Sequence, residues 1–148
     1  RWTTRPFQLI GAPWIDAENL VVRLRNLDLS GVAFRPARFR PEFGKHAGRI
    51  CAGVELHVTA RQSLDSVALG LNLLKTIHDL HFEDFAWRPD PYEFVGDVPA
   101  LDILTGSPAA RECIEGNVGF DALFESWRKS VAMFDDGLEG ILLYHSEP

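Results

Sequence analysis

The sequence predicts an α+β fold: a small mixed sheet with about three main helices packed on it, in a single domain. Short runs in which apolar and polar residues alternate indicate strands, and longer runs with apolar residues three to four positions apart indicate helices. The chain has 148 residues, of which 46% are hydrophobic and 24% charged. This length and composition are typical of one globular domain with its own core.

Three segments are predicted to form the sheet: residues 7–10, 32–35 and 51–59. The third strand alternates clearly between two faces. The members of its apolar face, which we expect to face the core, are Ala52, Val54, Leu56 and Val58. The opposite face carries Glu55 and His57 beside Cys51 and Gly53. A carboxylate or an imidazole that is buried needs hydrogen-bonding partners, so we expect such partners for Glu55 and His57 on this face.

The first predicted helix covers residues 17–26. Asp16 precedes it and is a suitable N-cap, because its side chain can accept a hydrogen bond from a free backbone N–H of the first turn. Ile15 and Leu20 have the spacing of a hydrophobic staple, which packs the residue before the cap against the first helical turns. The sequence therefore predicts both the start of this helix and its inward side.

Two longer helices are predicted at residues 63–80 and 120–134. The residues Thr59 with Gln62, or Ser63, are candidates to cap the first of them. The second has the clearest apolar stripe in the chain, and Trp127 lies in its middle. We therefore expect Trp127 to belong to the core.

The remaining segments are shorter. Residues 98–104 are predicted to form a helical or extended piece. Residues 108–115 are predicted to form a short helix with Ser107 as N-cap and Pro108 at its first position. Residues 82–96 hold five aromatic side chains and are interpreted as a packed connector, with a sugar-stacking surface as the alternative. Residues 141–144 are predicted to form a last strand.

The segment from residue 34 to residue 58 has the densest mixture of aromatic, basic, Gly and Pro residues in the chain. Because Pro36 and Pro41 cannot donate backbone hydrogen bonds, residues 35–45 are predicted to follow an ordered loop and not a central strand. An aromatic and basic loop beside a polar strand face predicts one wall of a binding cleft. The alternative is a long loop packed down by its own Phe side chains.

Charge and cysteine content exclude several classes of protein. The formal net charge is −6, and no basic run is present, so nucleic acid is not an expected partner. No apolar run approaches the roughly 20 residues that a membrane-spanning helix needs. Cys51 and Cys113 are too few for a disulfide framework and are expected to be unpaired, buried thiols. The chain opens at Arg1 without a leader and reads as part of a longer protein.

Catalytic and metal-binding motifs are absent from the sequence, including the nucleophile elbow, the P-loop and the zinc-binding helix motif. A glycosidase needs two carboxylates about 5 to 10 Å apart, and the sequence selects no pair. Glu42 and Glu55 are each interpreted as ion-paired or solvated. His78 and His81 lie near acidic residues, but a histidine is already favoured at a helix C-terminus and no further ligand has a recognisable spacing. No metal or other cofactor is therefore expected.

Three stretches resemble one protein family. They are Pro6-Phe7 followed by Ile10-Gly11-Ala12-Pro13-Trp14-Ile15; the central F-R-P-x-x-F-x-P-x-F-x-K-x-x-G-x-x-C-x-G-V-x-x-H-V; and Ile103-Leu104-x-Gly106. Together they resemble the C-terminal half of the NamZ-type (YbbC-like) exo-β-N-acetylmuramidases of bacteria, long classed as a domain of unknown function. The resemblance covers nearly the whole chain, and the central motif is long and unusual.

The resemblance implies a two-domain hydrolase that removes terminal N-acetylmuramic acid from peptidoglycan fragments during cell wall recycling. An N-terminal Rossmann-like domain, which this chain lacks, would carry the catalytic carboxylates and would form the active-site cleft together with this domain. The resemblance also suggests a periplasmic or secreted protein. This chain by itself is then expected to be inactive.

Five residues of the central segment are the candidate site: Arg35, Phe39, Phe43, Lys45 and His57. On the first hypothesis they bind sugar, with Arg35 or Lys45 pairing with the lactyl carboxylate of muramic acid. Phe39 and Phe43 would then cover apolar sugar faces. On the second hypothesis the chain is a non-catalytic interaction or carbohydrate-binding module that docks on its partner domain, and the two Phe side chains are interface residues.

Overall fold

The computed structural model describes residues 3–138 and 141–143, and it confirms the predicted α+β class. The strands are β1 (Leu9–Ala12), β2 (Val32–Phe39) and β3 (Cys51–Val58). The helices are α1 (Ala17–Arg25), α2 (Ser66–Leu80), α3 (Ala100–Thr105), α4 (Ala109–Glu115) and α5 (Asp121–Leu138). The chain divides into two compact units, one up to Arg88 and the other from Pro89 onward.

The first unit is built on a three-stranded sheet in the order β1-β3-β2. Both strand pairs are antiparallel, so the sheet is antiparallel and not mixed. A direct hairpin connection joins β2 to β3, and a hairpin makes two strands antiparallel. Because β3 is central, Glu55 lies opposite Leu9 on one side and opposite Arg35 on the other.

The strand β2 is longer than predicted, because it continues through Pro36 and ends only at Phe39. The expectation that residues 35–45 form a loop was therefore wrong for its first half. The physical reason is that β2 is an edge strand. One side of an edge strand has no neighbour, so a proline that lacks the backbone N–H is tolerated there.

The core of the first unit lies between the sheet and the two helices α1 and α2. Its fully buried members include Leu20 and Leu24 of α1 and Val54 of β3. Asp16 caps α1 as predicted, because its Oδ1 accepts a hydrogen bond from the Asn19 N–H at 3.1 Å. Ile15 belongs to the same core, in agreement with the predicted staple.

The helix α2 begins later than predicted. Residues 61–63 form a separate 3-10 turn, and Asp65 caps the helix by accepting hydrogen bonds from the N–H groups of Val67 and Ala68 at 3.0 and 2.9 Å. The predicted cap at Thr59, Gln62 or Ser63 was therefore wrong. A carboxylate immediately before the helix satisfies two free N–H groups at once, and it decides where the helix starts.

In the second unit, a partly buried ion pair connects α3 to α4. The Arg111 side chain on α4 donates from Nε and Nη2 to the carboxylate of Asp102 on α3, at distances of 2.8 to 3.1 Å. The predicted piece at 98–104 is helical, and the predicted helix at 108–115 forms from Ala109. Pro108 occupies the N-cap position, and no side chain caps this helix, so the role predicted for Ser107 was wrong.

The helix α5 forms where the apolar stripe predicts it, but none of its residues is buried. Trp127 is half-buried and packs against the Phe124 ring with a centroid distance of 5.8 Å, so its assignment to the core was wrong. Phe134, further along the stripe, is 65% exposed. Periodicity shows which side chains share a helix face, but it cannot show whether another element covers that face.

Several smaller expectations also have an outcome. Cys51 is buried and Cys113 is half-buried, and both are free thiols. Residues 141–143 form no strand, and Tyr144 lies outside the described residues. Within the described part of the chain, no helix is long and apolar enough to cross a membrane.

The neighbouring residues Val21 and Val22 of α1 provide a matched test of the core. Val21 is 2% exposed and Val22 is 56% exposed. Val21→Ala should lower the free energy of unfolding by about 1.5 to 3 kcal/mol, because it removes buried methyl groups and leaves a cavity. Val22→Ala should change it by less than about 0.5 kcal/mol. Urea denaturation of both variants measures the difference, and equal losses would contradict this assignment of the core.

Candidate functional site

Part of the candidate site lies on the sheet face opposite the helical layer. Residues that pair directly across antiparallel strands share a face, so Arg35, Ala37 and Phe39 of β2 lie on the same side as Glu55, Gly53 and Cys51 of β3. Val54 and Phe34 belong to the other face and to the core. The predicted core face of β3 is confirmed for Val54 and Leu56, whereas Val58 at the end of the strand is 52% exposed, so its assignment to the core was wrong.

A cavity of about 350 Å³ lies in the first unit. This volume is within the range of about 300 to 1,000 Å³ that small-molecule sites usually have. Its walls come from β1 and the turn after it, from the end of β2 and the loop between β2 and β3, and from α2 and the segment that follows it. Its lining includes the polar and aromatic residues Thr3, Trp14, Phe39, Lys45, His46, Cys51, Asp84 and Phe85 and the core residues Ala12, Ile15 and Ile77.

Three aromatic rings line this cavity: those of Trp14, Phe39 and Phe85. The Trp14 ring packs against His81 at a centroid distance of 5.4 Å, and His81 Nε2 accepts a hydrogen bond from the Asp16 N–H at 3.3 Å. The Phe85 ring contacts Trp87 edge to face at 4.9 Å. Since neighbouring side chains hold two of the three rings, the apolar walls are largely pre-formed.

The loop between β2 and β3 brings two basic side chains, Lys45 and His46, to the cavity. The Gly48 N–H donates to the Pro41 carbonyl at 2.8 Å and closes the loop on itself. Gly44 and His46 have positive φ angles of 75° and 65°. The left-handed conformation costs roughly 1 to 2 kcal/mol for a residue other than glycine, so the loop holds His46 there by its other contacts.

Charge and burial determine the chemistry of two cavity residues. Burial and the nearby charges of Lys45 and Arg49 lower the pKa of His46, so this imidazole is neutral at pH 7 and can donate or accept a hydrogen bond. Burial raises the pKa of the Cys51 thiol, and the charge of Arg49 opposes that effect. Cys51 is therefore protonated and unsuited to act as a nucleophile.

A second group of charged residues lies further along the same sheet face, around Glu55. The Glu55 side chain is only 3% exposed. One of its oxygens accepts a hydrogen bond from Arg5, and the other accepts hydrogen bonds from Nε and Nη2 of Arg35. His57 Nε2 lies 3.6 Å from the second oxygen. The hydrogen bond from Arg35 is the largest of several influences that lower the pKa of Glu55, so the carboxylate is ionised at neutral pH.

The five candidate residues fall into three places. Phe39 and Lys45 line the cavity. Arg35 and His57 surround Glu55. Phe43 is 61% exposed and is not among the residues that line the cavity.

Some residues of these groups were missed from the sequence. Trp14 was not among the five candidate residues, and Phe85 was interpreted as part of a connector, but both line the cavity. Arg5 has no sequence signal of its own, since it reaches Glu55 across 50 positions of the chain. The pairing of Leu9 with Glu55 would have placed Arg5 nearby, but only a known strand register supplies that information.

His78 and His81 do not converge. His78 pairs with Asp79 and packs against Phe85, whereas His81 contacts Trp14. No group of three or more potential metal ligands occurs among the described residues.

The described residues thus form an α+β fold in which the hairpin and the edge strand β1 line a cavity with aromatic and cationic side chains. The chain matches the family described as "Exo-beta-N-acetylmuramidase NamZ, C-terminal" over residues 1–144, and it belongs to that family. It is also 40% identical over 144 residues to the "Peptidoglycan beta-N-acetylmuramidase NamZ" of Bacillus subtilis (strain 168). The match includes 97% of this chain and 33% of the relative, so the chain spans about one third of that protein.

A solved structure supports the fold independently. The crystal structure of a DUF1343 family protein from Bacteroides fragilis NCTC 9343 superimposes with a TM-score of 0.80. The sequences are 24% identical, and the match covers 97% of this chain and 37% of that chain.

The Glu55 ion cluster predicts a dependence of stability on pH. A carboxyl group whose pKa is lowered on folding stabilises the fold above its ordinary value of about 4.3, and this contribution is lost as the pH falls through the lower, folded-state value. Glu55→Gln should therefore be less stable than the wild type at pH 7, with a difference that shrinks below about pH 4.3. Denaturation curves across this range provide the measurement.

The matched control for this experiment is Glu42→Gln, which alters an exposed carboxylate of the loop between β2 and β3. Because that carboxylate is exposed, this variant should differ from the wild type by less than about 0.5 kcal/mol at pH 7. The same pH dependence in both variants would show that Glu55 has no special role.

Proposed function

We propose that this chain is the substrate-binding part of a peptidoglycan exo-β-N-acetylmuramidase, a glycoside hydrolase that releases terminal N-acetylmuramic acid. The observation that carries the proposal is the meeting of Phe39 and Lys45 in one cavity, in a chain that belongs to the NamZ C-terminal family. These two residues come from different parts of the hairpin, and together they supply an apolar surface and a positive charge.

The cavity residues suit an acidic amino sugar. The rings of Trp14, Phe39 and Phe85 offer faces for the C–H groups of a sugar ring. The neutral imidazole of His46 and the carboxylate of Asp84 can exchange hydrogen bonds with hydroxyl groups. N-acetylmuramic acid differs from N-acetylglucosamine by a lactyl ether that carries a carboxylate, and the Lys45 ammonium is its proposed partner.

The catalytic carboxylates are proposed to lie in an N-terminal Rossmann-like domain of the same protein, with the active site in the cleft between the two domains. A glycosidase acid needs a raised pKa, whereas the ion pairs of Glu55 lower its pKa. The buried Asp102 is held by Arg111 and is also committed to an ion pair. The described residues therefore support substrate binding better than bond cleavage.

A second candidate function is that of a non-catalytic module that docks on its partner domain. The observation that favours it is the exposure of Phe43, which projects from the loop without lining the cavity. Under this alternative, Phe43 is an interface residue. The two functions are compatible in one protein, because a loop can contact both a sugar and a neighbouring domain.

The 148-residue chain alone should have no hydrolase activity, because the buried carboxylates in the described part of the chain, Glu55 and Asp102, are held in ion pairs. Incubation with a chromogenic N-acetylmuramide should release no colour above the background. Turnover that disappears in the Glu55→Gln or Glu42→Gln variant would place a catalytic carboxylate in this chain and would overturn the assignment.

In the full-length protein, Lys45→Ala should reduce kcat/KM for a muramic acid substrate about 10- to 150-fold more than for the matching glucosamine substrate. A charged hydrogen bond of about 1.5 to 3 kcal/mol corresponds to that range. Lys129→Ala, which removes an exposed lysine from α5, is the matched control and should leave both values unchanged. An equal loss for both substrates in Lys45→Ala would mean that Lys45 supports the loop and does not recognise the lactyl group.

A further inference from the structure

The charged residues around Glu55, here called the Glu55 cluster, include two guanidinium groups, Arg5 and Arg35, but only one carboxylate. Two guanidinium groups, which stay protonated at any physiological pH, meet one ionised carboxylate. The Arg5 and Arg35 side chains are 54% and 64% exposed, while Glu55 is almost fully buried. The cluster therefore presents a net positive charge and several N–H donors to the solvent.

Glu55 determines how these donors are arranged. Both Nε and Nη2 of Arg35 donate to one of its oxygens, while Arg5 donates to the other. This contact uses one edge of the planar Arg35 fork and orients the rest of the group. A buried carboxylate thus holds two guanidinium groups side by side. Paired guanidinium groups are well suited to bind a second carboxylate.

The cluster and the cavity lie along one strand. Cys51 lines the cavity, and Glu55 follows it by four residues on the same face of β3. A strand rises about 3.3 Å per residue, so the Cα atoms of Cys51 and Glu55 are about 13 Å apart. The segment before β1 also connects them, because Thr3 lines the cavity and its Oγ1 accepts a hydrogen bond from the Arg5 N–H at 3.2 Å.

We propose that Arg5 and Arg35 form a second subsite that binds a carboxylate, with Glu55 as its positioning residue. This inference rests on the proposed function, since it takes the cavity as the site of a terminal muramic acid. In a glycan that alternates muramic acid with glucosamine, the next lactyl carboxylate occurs one disaccharide further along. Glu55 lies four residues beyond the cavity residue Cys51 on the same face of β3, so only a ligand longer than one sugar spans both places, and the subsite selects a longer glycan.

Two oligosaccharides that differ by one carboxylate test the cavity and the second subsite separately. The disaccharide of N-acetylmuramic acid and N-acetylglucosamine carries one lactyl carboxylate, and the trisaccharide extended by a second N-acetylmuramic acid carries two. Calorimetric titration of the 148-residue chain should show the trisaccharide binding about tenfold tighter, as expected for one added charged hydrogen bond. Backbone amide NMR signals of residues 53–57 should shift with the trisaccharide and not with the disaccharide.

Arg5→Gln and Arg35→Gln should each bring the affinity for the trisaccharide down to the affinity for the disaccharide. The matched control is Arg38→Gln, which alters the same strand on its opposite face and should retain the advantage. If Arg35→Gln does not fold because Glu55 loses a partner, the double variant Arg35→Gln with Glu55→Gln removes the buried charge as well. It should also lose the advantage.

Glu55→Gln tests the positioning role separately. It keeps both cations but loosens their arrangement, so it should reduce the advantage of the trisaccharide, whereas a purely structural carboxylate would change stability alone. Equal affinities for the two ligands in the wild type, or the same loss in Arg38→Gln as in Arg35→Gln, would overturn the subsite.

The same titrations distinguish failure of the second subsite from failure of the proposed function. Disaccharide-induced shifts around Lys45 and Cys51 without any trisaccharide advantage would leave the proposed function intact and reject the second subsite. Binding that shifts only residues 53–57 would reject the cavity as the sugar site. Absence of binding by either ligand would reject both proposals.

Discussion

The buried carboxylate of Glu55 is the constraint on which the candidate site depends. It occupies the middle of the central strand, and an ionised group there is costly unless it is paired and hydrogen-bonded. Arg35 reaches it from the neighbouring strand and Arg5 from the segment before β1. The requirement to satisfy one buried charge therefore ties the start of the chain and the edge strand to the same sheet face. This face holds the cluster and leads to the cavity.

The edge position of β2 explains how the rest of the site forms. An edge strand tolerates Pro36, so the strand continues to Phe39 and places that ring beside the cavity. The chain then turns through Gly44, His46 and Gly48 before it returns as β3. These left-handed residues bring Lys45 and His46 to the cavity, whereas Phe43 stays exposed. One hairpin thus supplies both an apolar wall and the positive charge.

Much of the fold was predictable, because local chemistry decides it. Asp16 caps α1, the alternation of β3 separates its two faces, and the stripe of α5 forms a helix. The site was only partly predictable. Phe39 and Lys45 were identified from the composition of the hairpin, but Trp14, Phe85 and Arg5 were not, because distant parts of the chain bring them there. Trp127 was wrongly assigned to the core, because a regular apolar stripe does not guarantee that another element covers the helix face.

By itself, the sequence determined the α+β class, the helix and strand types, the family resemblance and the hairpin as the centre of interest. These features depend on side-chain periodicity and on motifs within short stretches of chain. Only the tertiary structure decided that Arg35 pairs with Glu55, whereas Lys45 reaches the cavity. It also decided that Arg5 joins the cluster. The physical reason is that strand register and loop conformation set which charges come within hydrogen-bonding distance, and both depend on contacts between residues far apart in sequence.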